Sequence, residues 1–389
     1  MIRVVVADDS ALFRAVLKSA LEADSEIQVV GRASNGDEAI EAVVRTEPDI
    51  VTMDVVMPGR GGEDAIKEIM KRRPTPIVVV SSLDRNAIVF RMLAAGALDV
   101  VAKPDGSQAA MAALVKKVKD LAQAKESIRS SRRAGSGPRP QPPLPSVPAS
   151  PSPLPHAPVP ASAPSAPARP KTPVEELFRS PAGKAAPAAG PAEHGPREAP
   201  GPARLVVIAS SAGGPPALEK VLSRLPARFP VPVIVVQHIA VGFASGLAAW
   251  LGATSPNPVS VPHGDPLAPG SILVAPDDAD VEVLSGRKIQ LHRGGGAPGA
   301  AHPIADVTLR SAAAVYGEGL LAVILTGMGS DGASGAAAVK SRGGRVIVQD
   351  EASSAVYGMP RAARPFADAV LPLDEIAAEI VRFATRSGS

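Results

Sequence analysis

Residues 206–222, VVIASSAGGPPALEKVL, pass from a run of apolar, largely β-branched residues through a short glycine-containing turn into a helical pattern. This is strand, tight turn, helix. The same alternation extends through the second half of the chain, where RLVVIASS, VPVIVVQH, GSILVAP, GLLAVILTG and RVIVQD are each separated by helical or polar stretches. It also runs through the first half, where RVVVA, IQVVG, DIVTMD, IVVVSS and DVVAKP alternate with patterns such as AVLKSALEA and DEAIEAVV. Repeated strand and helix units predict α/β architecture, with a parallel sheet covered by helices on both faces, in two separate domains. An antiparallel hairpin is expected near 282–293 (VEVLSGRKIQLH).

Composition sets the boundaries. Of 42 prolines in the 389 residues, 21 fall between residues 131 and 202, in a segment also rich in Ala and Ser. Such a segment cannot bury enough apolar surface to offset chain entropy and is expected to be a disordered, extended tether. The expected division is 1–125, linker 126–202, and 203–386. Within the linker, Thr172, Pro173 and Glu175 have capping-box spacing for a short helix. The 41 basic and 38 acidic residues nearly cancel, and two Tyr and one Trp offer little surface for stacking bases, so a nucleic-acid binder is disfavoured. With no cysteine there is no disulfide, thiolate nucleophile or Cys-ligated zinc. MIRVVVADDS reads as a first strand rather than a signal peptide. No apolar stretch approaches the roughly 20 residues needed to span a bilayer, and the chain is read as soluble and cytoplasmic, without membrane insertion.

In a doubly wound sheet the functional crevice lies beyond the carboxyl ends of the strands. In the first half, the polar residues that end apolar runs are Asp8, Asp9, Asp54, Ser81 and Lys103. Three converging carboxylates suit a hard divalent cation such as Mg²⁺. Asp54 can then act as a nucleophile toward a phosphoryl group, with Lys103 and the Ser81 hydroxyl contacting the new phosphate oxygens. Singly, each aspartate also suits a helix cap. Together, ADDS, DIVTMDVVMP, VVVSS and DVVAKP make residues 2 to about 122 resemble the response-regulator receiver domain of two-component signalling. The resemblance implies a flavodoxin-like fold, phosphorylation of Asp54 by a histidine kinase, and Mg²⁺ held by Asp8, Asp9, Asp54 and the Val56 carbonyl. One departure is Val100, where receivers often carry an aromatic residue.

In the second half, Ser211 ends a strand beside a helix N-terminus, whose amides can stabilise an oxyanion. A serine needs a base. Of the six histidines, His156 and His194 lie in the linker and His263, His292 and His302 in loops or at the hairpin, whereas His238 directly ends the strand VPVIVVQH. Asp331 follows LAVILTGMGS and can hold the imidazole. Alternatives stand beside each: SAGG as a phosphate-cradling turn, His238 as a structural histidine, Asp331 as the cap of a helix beginning at GASGAAAVK. SSAGGPPAL, VQH, ILTGMGSDG and QDEASSAVYGMPRAA make 204–384 resemble the catalytic domain of the chemotaxis receptor-glutamate methylesterase family (CheB).

The resemblance implies a Rossmann-like α/β hydrolase domain with a Ser211, His238 and Asp331 triad and no cofactor. It implies hydrolysis of glutamate γ-methyl esters on chemoreceptor cytoplasmic helices, releasing methanol, and glutamine deamidation in some members. The amides of Ala212 and Met328 are the expected oxyanion donors. Departures fall at Ala209, Ala240 and Asp280, where the family usually has Gly, Pro and His, and at the turn APDDAD. The architecture further suggests that the unphosphorylated receiver covers the hydrolase cleft and that phosphorylation loosens it. Competing classes are a non-enzymatic scaffold and a transcriptional regulator, the latter requiring a helix-turn-helix that the second half does not offer.

Overall fold

The apolar runs form strands because their β-branched side chains are buried on both sides, as a parallel sheet layered between helices requires. In the computed structural model Val4, Val5 and Val6 are all inaccessible to solvent, and so are Val206, Val207 and Ile208. The structure describes residues 1–81, 86–122, 125, 204–264, 266–293 and 303–386. The predicted linker helix near Thr172, and the linker itself, lie outside the described residues.

Residues 2–102 form a five-stranded parallel sheet in the order β2-β1-β3-β4-β5, with β1 Ile2–Ala7, β2 Ile27–Ala33, β3 Ile50–Asp54, β4 Ile77–Ser81 and β5 Asp99–Ala102. Helices α1 Ala11–Glu22, α2 Gly36–Thr46, α3 Gly62–Arg72, α4 Asn86–Ala95 and α5 Gln108–Ala122 connect and cover it. The strand order reverses between β1 and β3, so the ends of those two strands open a crevice.

The second half holds a seven-stranded parallel sheet centred on β6 Leu205–Ser210. On one side lie β7 Val233–Gln237, β9 Ile272–Val274 and the two-residue β8 Val259–Ser260. On the other lie β12 Leu320–Ile324, β13 Arg345–Gln349 and β14 Ala369–Leu371. The expected hairpin is β10 Ala279–Leu284 paired antiparallel with β11 Lys288–Arg293, turning at Gly286, whose φ of 73° favours glycine. The helices are α6 Gly214–Leu222, α7 Ala244–Thr254, α8 Ala305–Tyr316, α9 Ala333–Ser341, the short α10 Met359–Ala363 and α11 Leu373–Thr385. Here the order reverses between β6 and β12. The loops after those strands, and after neighbouring β7, therefore face one another.

The two α/β halves meet through α4, which packs on α6 and α7. Val89, Phe90 and Leu93 share one buried cluster with Leu218, Leu247 and Leu251. The Phe90 and Trp250 rings stack with centroids 5.9 Å apart. Among the described residues no helix is long and apolar enough to cross a membrane.

Candidate active site and phosphoacceptor site

At the β1/β3 crevice, carboxylate oxygens of Asp8, Asp9 and Asp54 lie within 4.8 Å of one another. Asp8 and Asp54 are buried and Asp9 is exposed. Lys103, just past β5, reaches across with Nζ 2.7 Å from Asp8 Oδ2 and 3.3 Å from Asp54 Oδ2, and lies 4.4 Å from the centroid of the Phe13 ring. Its amide donates to the carbonyl of buried Ser81 at 2.7 Å, which joins the ends of β4 and β5. Burial pushes the Asp54 carboxyl above its usual range; Lys103 works against this and the neighbouring Asp8 charge adds to it. Burial alone would lower the Lys103 ammonium, but its bonds to Asp8 and Asp54 outweigh that and raise it. One ammonium facing three carboxylates leaves excess negative charge and an all-oxygen donor set, which suits a hard divalent cation. Val56, whose carbonyl is the fourth expected ligand, lies on the exposed loop leaving β3.

At the β6/β12 reversal the structure brings Ser211, His238 and Asp331 to one sheet edge. Ser211 is the first residue past β6 and is 4% exposed; its amide donates to the Thr326 carbonyl at 3.0 Å, across to the loop after β12. His238 is the first residue past β7, and its amide donates to the Ser210 carbonyl at 3.0 Å, extending the β6/β7 ladder by one rung. The His238 ring Nε2 lies 2.7 Å from Asp331 Oδ2. With Asp331 accepting the Nε2 proton, the ring's lone pair sits on Nδ1, the arrangement a general base needs. Among the described residues no hydrogen bond joins the Ser211 hydroxyl to this ring. Such contacts often tighten only when substrate binds.

Asp331 is held from several sides. Oδ2 also accepts from the Ala305 amide at 2.7 Å, and Oδ1 from the amides of Asp306 and Gly332, each at 2.9 Å. Burial opposes its ionisation, yet the His238 ring and the amides of Asp306 and Ala305 outweigh burial and hold the carboxyl below its usual range. Asp331 therefore caps α8, and at α9, the helix proposed for it as an alternative, it reaches only the Gly332 amide ahead of the first turn. The cap of α9 comes instead from Asp306, whose Oδ1 accepts from Gly332 and Gly335 at 2.9 and 2.6 Å. Asp280, one of the departures, accepts from the Ile304 amide at 2.7 Å and so seats the start of α8.

Among the described residues the amides of Ala212 and Met328 donate to no protein acceptor, whereas the Gly213 amide donates to the carbonyl of Leu98, at the head of β5, at 2.7 Å. Gly327 is a contact that sequence reasoning left without a role: a Cβ there would lie 2.8 Å from Ser211 Cβ and 3.0 Å from its amide nitrogen. Asp306 and Gln237 also went unassigned, though Gln237 ends an apolar strand and the rule applied to the first half would have singled it out. His292 pairs with Glu282 on the hairpin at 2.5 Å.

An acidic crevice of receiver type joined to an α/β domain with a serine, histidine and aspartate at one sheet edge defines a response regulator with a hydrolase output. Residues 4–116 match the response regulator receiver domain, and residues 206–380 match the CheB methylesterase. "Protein-glutamate methylesterase/protein-glutamine glutaminase 3" of Anaeromyxobacter dehalogenans (strain 2CP-C) is 38% identical over 391 residues, covering 99% of this chain and 100% of the relative. "Protein-glutamate methylesterase/protein-glutamine glutaminase 4" of Myxococcus xanthus (strain DK1622) is 38% identical over 362 residues, covering 92% and 90%. The crystal structure of the Thermotoga maritima CheB methylesterase catalytic domain is 37% identical and covers 46% of this chain and 98% of that one, at a TM-score of 0.44. The chain belongs to the CheB methylesterase family, with a response regulator receiver domain at its N-terminal end.

Proposed function

We propose that this chain is a phosphorylation-controlled esterase that hydrolyses glutamate γ-methyl esters on the cytoplasmic helices of chemoreceptors, releasing methanol, and deamidates glutamines there by the same acyl chemistry. The observation that carries the reading is the His238 Nε2 to Asp331 Oδ2 bond of 2.7 Å, with both residues at the sheet edge that ends in Ser211. Ser211 Oγ attacks the γ-carbonyl while His238 Nδ1 takes its proton, and Asp331 stabilises the imidazolium that forms. The amides of Ala212 and Met328 receive the oxyanion. His238 returns the proton to the departing methoxide, and a water then cleaves the acyl-serine by the reverse sequence.

In the receiver, Asp54 is the phosphoacceptor, and Lys103 and Ser81 contact the phosphate. Asp8, Asp9, Asp54 and the Val56 carbonyl would hold Mg²⁺, which when bound offsets charge on the carboxylates and the incoming phosphoryl group. The donor is a histidine kinase, and the protein works in the cytoplasm. The working units are residues 1–125, a Pro-rich linker 126–202, and 203–386. The receiver restrains the hydrolase through α4 and through Leu98, which engages the Gly213 amide beside Ser211.

The test is methanol release from a methylated receptor cytoplasmic domain by wild type and Ser211→Ala, with and without a small phosphodonor and Mg²⁺. Release that rises with phosphodonor and vanishes in the variant is expected. Equal release by the two proteins would sink the Ser211 assignment. No release by wild type, with phosphorylation intact, would favour a binding scaffold.

A further inference from the structure

We propose that Gln237 is a positioning residue that ties the backbones of the nucleophile and the base together, an inference that rests on the roles given above to Ser211 and His238. Gln237 is the last residue of β7 and is 1% exposed. Its register partner on β6 is Ser210. Ser210 Oγ donates to Gln237 Oε1 at 2.6 Å, and Gln237 Nε2 donates to the carbonyls of Ser211 at 2.9 Å and His238 at 2.8 Å. The side-chain amide thus gives one N–H to each of the two residues whose spacing decides proton transfer, and its oxygen is anchored behind.

The orientation follows from the network. A flipped amide would aim its oxygen at two carbonyl oxygens, one of which, that of Ser211, already accepts from the Gly214 amide at 2.8 Å. The surrounding chain is shaped to admit the group: a Cβ on Gly214, the first residue of α6, would stand 2.0 Å from Gln237 Oε1 and 2.9 Å from Ser210 Oγ. Glycine at that point leaves the space the amide fills. Among side chains of this length only glutamine supplies two donors on one side and an acceptor on the other. Glutamate would oppose two carbonyls with a carboxylate, and methionine would offer no donor.

A lock that only stiffens the sheet edge would lower thermal stability and leave turnover per folded molecule unchanged. A positioning residue moves kcat without moving KM, because the substrate-binding surface is intact while the nucleophile and base lose register. The experiment uses the full chain with phosphodonor and Mg²⁺ and compares wild type, Gln237→Met, Gln237→Glu, Ser210→Ala and, as control, Ser211→Ala. It measures kcat and KM for methanol release from methylated receptor domain, the rate of labelling by a fluorophosphonate, and thermal melting.

Both Gln237 variants are expected to lose about 10- to 100-fold in kcat and in labelling rate, with KM within about twofold of wild type. Ser210→Ala keeps both N–H donors but frees the amide to turn, and about a threefold to tenfold loss is expected. Variants that melt lower yet keep kcat and labelling within about twofold would overturn the proposal. Should the Gln237 variants not fold, an unchanged kcat in Ser210→Ala overturns it equally. If wild type is not labelled, the Ser211 assignment fails and takes this inference with it; if wild type is labelled and the variants match it, the inference alone fails.

Discussion

Asp331 shows how much of one residue's role is physical context. Its type and its place after an apolar strand marked it as a candidate partner for His238, whose ring Nε2 lies 2.7 Å from its Oδ2. What it caps could not be seen, because the amides of Ala305 and Asp306 come from 26 and 25 residues away along the chain. Burial opposes its ionisation, but the His238 ring and then those two amides hold its folded-state carboxyl below the unfolded value. A depressed carboxyl contributes stability that is fully present above the unfolded value, about pH 4, and is lost as pH falls through the folded value. Asp331→Asn is accordingly expected to melt below wild type at neutral pH, with the difference shrinking as pH drops under about 4. Its kcat should fall on the order of 10³-fold or more, as when a triad acid is neutralised. Melting curves across pH check the first claim, and a gap that stays constant into acid would show that the ionised carboxylate is not its source.

Among elements, α8 and α9 are fastened to each other by exchanged caps. Asp331, ahead of α9, accepts from the first amides of α8, and Asp306, in α8, accepts from Gly332 and Gly335. Gly335 permits this closeness, since a Cβ there would meet Leu309 Cβ at 2.5 Å. Asp306→Ala should cost about 0.5–2 kcal/mol, the range for losing a helix cap. It should also lower kcat several-fold, because the loop bearing Asp331 loses its tether; melting and methanol release together measure this, and unchanged turnover would restrict Asp306 to stability alone. The long apolar strands β6, β7, β12 and β13 were legible because their runs are continuous and β-branched. The edge strands Val259–Ser260 and Ala369–Leu371 are too short for any periodicity to register.

Across the whole molecule, the decisive contact joins the two halves: α4 lies on α6 and α7, Phe90 stacks on Trp250, and the Leu98 carbonyl takes the Gly213 amide two residues past Ser211. Removing residues 1–200 is expected to raise the unstimulated esterase rate roughly 5- to 100-fold, the usual range of a coupling between sites, and to abolish its response to phosphodonor. An unchanged unstimulated rate would rule out restraint by the receiver. The sequence by itself determined the two α/β halves and their central strands, and put forward Asp54, Ser211, His238 and Asp331 as candidates, because apolar periodicity and strand-ending polar residues are local signals. Only the tertiary structure decided which amides hold Asp331, why Gly214 and Gly327 need to be glycine, how Gln237 bridges Ser211 and His238, and which receiver helix meets the hydrolase. Those depend on atoms brought within hydrogen-bonding or van der Waals reach by chain closure, and no local pattern encodes the distance between them.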